Sequence, residues 1–587
     1  LLDWVHYCAI LGVESMQAMI DAVLPSMEKA MQDVGIQGDF WRNMLSRSKE
    51  ASQGDLALPC FPFAKQLGCA PNEAAQKIAD ALELEIGEAI AVGPYVNIRA
   101  SITWLANQIH QEPESKGSIL IEHTSANPNG PFHVGRARNA VLGDTFVRMH
   151  RAAGYDVTAE YYVDDMGKQV GILCWALENL NEDRVHALLE EGGIPSESSP
   201  HSSKQDHARV SWYQAANLLK AKDASVDTGV TELVQLSEEA DEDVLNRFES
   251  AYQPVLDGML ETLGRMGIRF DSFTKESRFI VDGSVETLME QLQSSELHGV
   301  AENGAHFLEL ESKGVKGKST QFFYRRGDGS SLYATRDLAY HDYKWTQSDR
   351  LLNILGEDHK LQSKQVGIAL EELNIQPPEV VFYAFTKLAD GKMSTRRGNV
   401  VYMDDLLDEA RSRALETVRE SKPDLPEDKL LEIAEAVGIS ATRFNIARIS
   451  PEKGITFRWS DALSLEADSA PFIMYSYARA CSIQRKAGEV DDAYILNPES
   501  LEGTAADLIR RLAYMNDELQ TAIDSRAPHM FCAWLSALAV DYNRFYRDNY
   551  VIDDNGVNAQ NLYISELARE HLRRGCEAVG IIPIEEM

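Results

Sequence analysis

IEHTSANPNGPFHVGRARNAVLGD, running from Ile121 to Asp144, is the stretch on which the reading of this chain turns. An apolar segment, Ser118–Ile121, leads into it and reads as a strand. The chain then turns through Asn127, Pro128, Asn129, Gly130 and Pro131, and after His133 and Gly135 it enters a helical pattern over 136–148. Strand, Pro/Gly turn and helix in that order are the usual geometry of a nucleotide site. Free amides at a helix start, and the dipole behind them, favour a polyphosphate. Gly135 has no side chain, so a flat base can lie close to backbone, and His133 can donate to phosphate oxygens. Taken alone, the same pattern also describes an ordinary α/β junction.

A second stretch, GKMSTRRGNVV (Gly391 to Val401), is a short polar loop with Lys392, Arg396 and Arg397. By itself it reads as a solvated basic turn. In this order with the first, and with YVDDMGKQ (162–169) and SLYATRDLAYHDYKW (331–345), it resembles the arginyl-tRNA synthetases. These are class I enzymes whose two signatures are usually written HIGH and KMSKS. The blocks PFIMYSYARACSIQRKA (471–487) and LAVDYNRFYRDNYVI (538–552) resemble the helical anticodon-binding domain of that family. The likeness covers nearly the whole chain and is weakest between Asn179 and Asn246.

The resemblance implies a Rossmann-type parallel-sheet α/β catalytic domain over 113–439, with insertions over about 178–321. It further implies a small α+β N-terminal domain over 1–112 that approaches the tRNA elbow, and an all-α anticodon-binding bundle over 440–587. The activity implied is ATP-dependent attachment of arginine to tRNA(Arg), with magnesium accompanying ATP and no tightly held metal. A cytoplasmic monomer is the family's default.

The same resemblance distributes roles. His133, Arg136, Lys392 and Arg396 would carry catalysis. Asn127, Pro128, Gly130, Pro131, Phe132, Val134, Gly135, Asp358, His359, Met393 and Ser394 would join His133 and Arg136 around ATP. Glu122, Tyr333 and Asp337 would meet the guanidinium, and Asn127 and Gln365 the amino group of the amino acid. Tyr95, Asn97, Tyr475, Arg479, Arg544 and Tyr546 would touch tRNA. Without the resemblance, Asp337 reads as a helix-start acid or a partner of Arg336, and the aromatic and basic residues near the C-terminus read as a bundle core with basic edges.

Two positions depart from the family pattern. Arg136 stands where the last histidine of the first signature is usual, and Thr395 where the second lysine of the other is usual. Some relatives without that lysine carry one just before the first signature, but that position here is Gly130. The working cation stays open among Lys392, Arg396 and Arg397.

Composition limits the alternatives. A chain of 587 residues exceeds one core, so several domains are expected. No apolar run is long enough to span a membrane, and the opening residues, with Asp3 and Glu14, show no basic leader. The seven cysteines form no CxxC pair, which argues against a zinc knuckle and suits a reducing compartment. That absence also disfavours a cysteinyl-type synthetase. An idle RNA-binding relative would not need both signatures, and a nucleotidylyltransferase would not need the helical C-terminal region. The net charge of −34 is unusual for a protein that grips tRNA, so binding must rest on local basic patches. The acidic excess gathers between about Glu178 and Glu311 and reads as solubility or as adaptation to a salty cytoplasm.

Overall fold

A computed structural model describes residues 16–48, 53–194, 200–317, 319–388, 401–466, 468–488, 496–554 and 556–587. Two compact units result, one from Leu1–Glu114, Ala152–Gly154 and Ser464–Met587, the other from Ser115–Arg151 and Tyr155–Leu463.

The second unit is built on a five-stranded sheet of β1 (Ser118–Glu122), β2 (Asp156–Val163), β3 (Ser272–Lys275), β4 (Leu351–Gly356) and β5 (Glu379–Tyr383). Their order is β5-β4-β1-β2-β3, and every pairing is parallel. Parallel strands covered on both faces need apolar side chains on both, which is why LLNILG of β4 is a nearly unbroken hydrophobic run. The helices used below are α1 (Val134–Ala152), α2 (Gln205–Lys220), α3 (Glu242–Arg265), α4 (Tyr333–Trp345), α5 (Lys360–Glu372) and α6 (Met403–Ser421). On one face of the sheet, Ile119, Ile121, Ile354 and Val381 pack against Leu142, Phe146 and Val147 of α1. A second core joins Leu338 and Tyr340 of α4 to Val366 and Leu370 of α5. It also takes in Leu308, Phe322 and Tyr324 of a small antiparallel sheet formed by His298–Val300, His306–Glu309 and Gln321–Arg325.

From β1 the chain crosses to β2 on one side, and from β4 it crosses to β5 on the other. The carboxyl ends of β1 and β4 therefore flank a topological switch point, where open parallel sheets hold their ligands.

The all-α pattern expected over 440–587 is interrupted near its start. Helix Glu427–Ala447 runs through that position, and strand Ile455–Phe457 then pairs in parallel with Thr386–Leu388. The β-branched pair Ile455-Thr456 following Gly454 suits an extended segment, and a partner distant in sequence fixes it there.

In the first unit, an antiparallel sheet holds Tyr95–Ala100 between Leu56–Pro59 and Gly87–Val92. Helices Ala470–Ala487, Gly503–Ala513, Met515–Asp524, Pro528–Asp548 and Ala559–Val579 make a bundle. The face formed by Met474, Tyr477, Ala478 and Cys481, which recur at three and four residues, is buried in it. Within this unit Arg510 holds Asp55 at 2.6 Å, tying the sheet to the bundle.

Candidate functional site

The switch point opens into a cavity of about 310 Å³. Glu122 and Asn127 reach it from the end of β1 and the turn beyond, Arg136 from the start of α1, and Tyr333 and Asp337 from one face of α4. His359 lines it from the short helical turn Glu357–His359 after β4. Six residues chosen from sequence thus converge on one space, although they derive from segments far apart in the chain.

The turn after β1 is strained to shape this space. Thr124 and Ser125 have φ of 68° and 36°, left-handed values that side-chain-bearing residues seldom adopt. Side-chain contacts hold them there. Asn139 of α1 accepts the Thr124 amide at 2.8 Å, and the Ser125 hydroxyl accepts the Tyr162 amide at 3.1 Å and donates to Glu122 Oε1 at 3.2 Å. Asn127 is held by Gln169 at 3.2 Å, and Arg136 donates to the Asn127 carbonyl at 3.3 Å.

Asp337 is the acid on α4. Burial alone would raise its pKa, but His341 beside it, and Lys344 beyond, hold the carboxyl below its usual value. The sequence left open a pairing of Asp337 with Arg336. Arg336 instead turns onto buried Glu276 and lies 3.5 Å from Glu238, leaving Asp337 to the cavity.

His133 lies outside the cavity lining, immediately before α1. Burial, then the neighbouring Arg136, pushes its pKa down to about 4, so the ring is neutral near pH 7. Its backbone bridges to Tyr402, with the Val134 amide donating to Val401 at 3.0 Å and the Met403 amide to Phe132 at 2.8 Å. The segment that closes the second signature is therefore hydrogen-bonded to the first. A Cβ on Gly135 would stand 3.0 Å from His133 Nδ1, so this glycine makes room for that imidazole. A Cβ on Gly130 would press on Val210 of α2 at 2.7 Å, so the lysine some relatives carry there would have to displace that side chain.

Not all of the expected residues line the cavity among the described residues. Gln365 faces away from the cavity and donates to the Ser319 carbonyl at 2.9 Å, whereas Gln362, one turn earlier on α5, lines it. Asp358 is exposed beside the cavity rather than in it, and Pro128, Gly130, Pro131, Phe132 and Val134 are buried as supports. Lys392, Met393, Ser394 and Arg396 lie outside the described residues. Asn97 is 2% exposed and so is closed to a splayed base, while Tyr95 at the start of its strand is open. On the bundle, Tyr475 and Tyr546 flank the Arg479 guanidinium at 4.8 and 5.0 Å, and Arg544 extends outward.

Asp206, His207 and Asp404 bring three ligand atoms within 4.8 Å of one another. An internal cation already sits among them: Lys204 Nζ is 2.8 Å from Asp404 and 3.6 Å from Asp206. Through Lys204 and His207 the group ties the start of α2 to the start of α6.

Family models match this chain in three places. Residues 19–100 match the arginyl tRNA synthetase N terminal domain, 101–453 the catalytic domain of class I (R) tRNA synthetases, and 473–587 the DALR anticodon binding domain. An arginine–tRNA ligase of Methanocella arvoryzae is 38% identical over 96% of this chain and 98% of its own. One from Archaeoglobus fulgidus is 37% identical over 96% and 99%. The fold is shared with the Thermus thermophilus arginyl-tRNA synthetase, at a TM-score of 0.76 and 24% identity over 97% of this chain and all of that one. It is shared also with the Plasmodium falciparum enzyme, at 0.75 and 15% over 97% and 99%.

Proposed function

This chain belongs to the arginyl-tRNA synthetases of class I, and on that premise we propose that the β1–β4 cavity holds arginine beside ATP and makes the arginyl-adenylate. The activity is that of an arginine–tRNA ligase. The arginine carboxylate attacks the α-phosphorus of ATP, and pyrophosphate leaves. The 2′-hydroxyl of the terminal tRNA ribose then attacks the carbonyl carbon, and AMP leaves. Negative charge grows on the phosphoryl oxygens in the first step, so fixed donors aimed there lower its barrier.

The observation that carries this reading is one cavity supplied with acids for a guanidinium, Glu122 and Asp337, and a cation for phosphate, Arg136. Asp337 takes the planar cation with Tyr333 beside it, and Asn127 with Gln362 takes the amino group. His133 and Arg136 serve the phosphates, joined by Lys392 and Arg396 of the second signature, with Met393 and Ser394 against the nucleotide. Magnesium travels with ATP, held mainly by phosphate and water. We assign elbow contact to Tyr95 within 1–112, catalysis to 113–439, and anticodon contact to Tyr475, Arg479, Arg544 and Tyr546 within 440–587. Among the described residues no helix is long and apolar enough to cross a membrane, and we place the enzyme in the cytoplasm as a monomer.

Charging of tRNA(Arg) with each of the twenty labelled amino acids tests the function. Arginine alone is expected to be attached, with one AMP and one pyrophosphate per event; attachment of another amino acid, or of none, rejects the reading. Gly135→Ala tests the signature. The new methyl displaces the His133 ring, so adenylate formation should slow by about tenfold. Alanine is the better helix former, so the melting temperature should hold or rise. Full activity in this variant would show that the ring position does not matter.

A further inference from the structure

Lys344 lies at the last turn of α4 with no exposed side-chain surface, outside the cavity lining. A lysine there ordinarily reaches into solvent and meets the helix dipole. This one turns inward. Its ammonium donates to Glu122 Oε2 at 2.8 Å and to Asn353 Oδ1 at 3.0 Å, and it stands over the Tyr340 ring at 4.3 Å. Asn353 lies beside Glu122 in the β4–β1 register.

The contacts continue in one direction. With its oxygen occupied by Lys344, Asn353 offers Nδ2 to His341 Nε2 at 2.9 Å. His341 Nε2 must then accept, so the proton sits on Nδ1. That proton faces the Asp337 carbonyl at 2.7 Å and the Asp337 carboxylate at 3.2 Å. One buried ammonium thus reaches Glu122 directly and Asp337 through Asn353 and His341. No other arrangement of these donors and acceptors satisfies all of these contacts. Glu122 and Asp337, two of the acids that line the cavity, are fixed by the same residue, although one is on β1 and the other on α4.

We propose that Lys344 is a positioning residue for arginine selection: through Asn353 and His341 it sets Glu122 and Asp337 in the separation and orientation that a planar guanidinium requires. The proposal rests on the cavity being the arginine site. Bidentate recognition depends on the carboxylates being held before the ligand arrives, since a fork meets two oxygens only in a narrow range of angles. Groups bonded in one network act as a unit, so cutting it at either end releases the same acids.

Steady-state charging of tRNA(Arg) by Lys344→Met, His341→Gln and the double variant tests this. Each single change should raise KM for arginine by about tenfold and leave KM for ATP within about twofold, as expected for a lost coupling inside one network. The double variant should resemble the worse single one. A merely structural role would lower the active fraction without separating the two KM values, and independent roles would multiply. Either of those results, or an unchanged KM for arginine in both singles, overturns the proposal. If Lys344→Met does not fold, Asn353→Leu replaces it in the cycle with the same expectations. Wild-type enzyme that charges no arginine refutes the function itself, which is a separate outcome.

Discussion

Asp337→Asn should lower kcat/KM for arginine by about a hundredfold or more, with KM for ATP within about twofold, because breaking a desolvated charge pair costs a few kcal/mol. The amide keeps the shape of the carboxyl, so packing around α4 survives. What changes is the charge and one acceptor. The wild-type carboxyl is held below its ordinary pKa by His341 and Lys344 despite burial, so it is charged at neutral pH and ready for a cation. In the variant the guanidinium would leave water without its counter-charge, and an amide N–H would point at a group that offers only donors. Measuring both KM values in one charging assay separates this from general damage. Equal losses for arginine and ATP would sink the guanidinium role, and so would retained arginine use.

The frame of the molecule was legible because its strands obey a simple rule. Segment 118–121 is a short apolar run ahead of a Pro/Gly turn, and a buried parallel strand has that composition. The last strand breaks at Tyr383 and resumes at Thr386–Leu388, where its partner is Ile455–Phe457. That partner is distant in sequence and only three residues long, so nothing local announced it. Tyr333 and Asp337 stand four apart, and residues at that spacing on a helix project together.

The finer errors at the site share one cause. Gln362 and Gln365 are on the same helix, and which of them faces the cavity depends on the phase that Val366 and Leu370 impose by entering the core. Asn97 and Tyr95 point to one face of their strand, yet neighbouring strands and helices cover only the former. Lys344 and His341 stand in the very segment that carries Asp337, and no motif singles them out. Their roles come from contacts with β1 and β4 that only the folded sheet creates. Motifs mark the residues that touch the ligand; the residues that hold them follow from tertiary packing.

His133→Ala should slow adenylate formation by about a hundredfold, the usual cost of removing one donor from a developing oxyanion. Folding should persist, because the backbone bonds of 132–134 to 401–403 do not use the ring. The protonation state adds a sharper expectation. Burial and Arg136 push the His133 pKa down to about 4 from its ordinary value near 6.5. The ring is therefore neutral over the working range and gives one N–H, while the fixed positive charge comes from Arg136 and the basic loop. If so, the ratio of wild-type to variant rate stays flat between about pH 6 and 8. An imidazolium role predicts a different curve: the wild-type advantage would shrink as pH rises through the ordinary histidine range. The sign for stability follows from the same shift. Folding favours the neutral ring, so this residue contributes stability above pH about 6.5, and that contribution is lost as pH falls toward 4. Single-turnover adenylate formation across this range, on both proteins and with tRNA present, decides between the two forms of the ring. A ratio that falls with rising pH would mean that His133 works as a cation and that the neutral assignment is wrong.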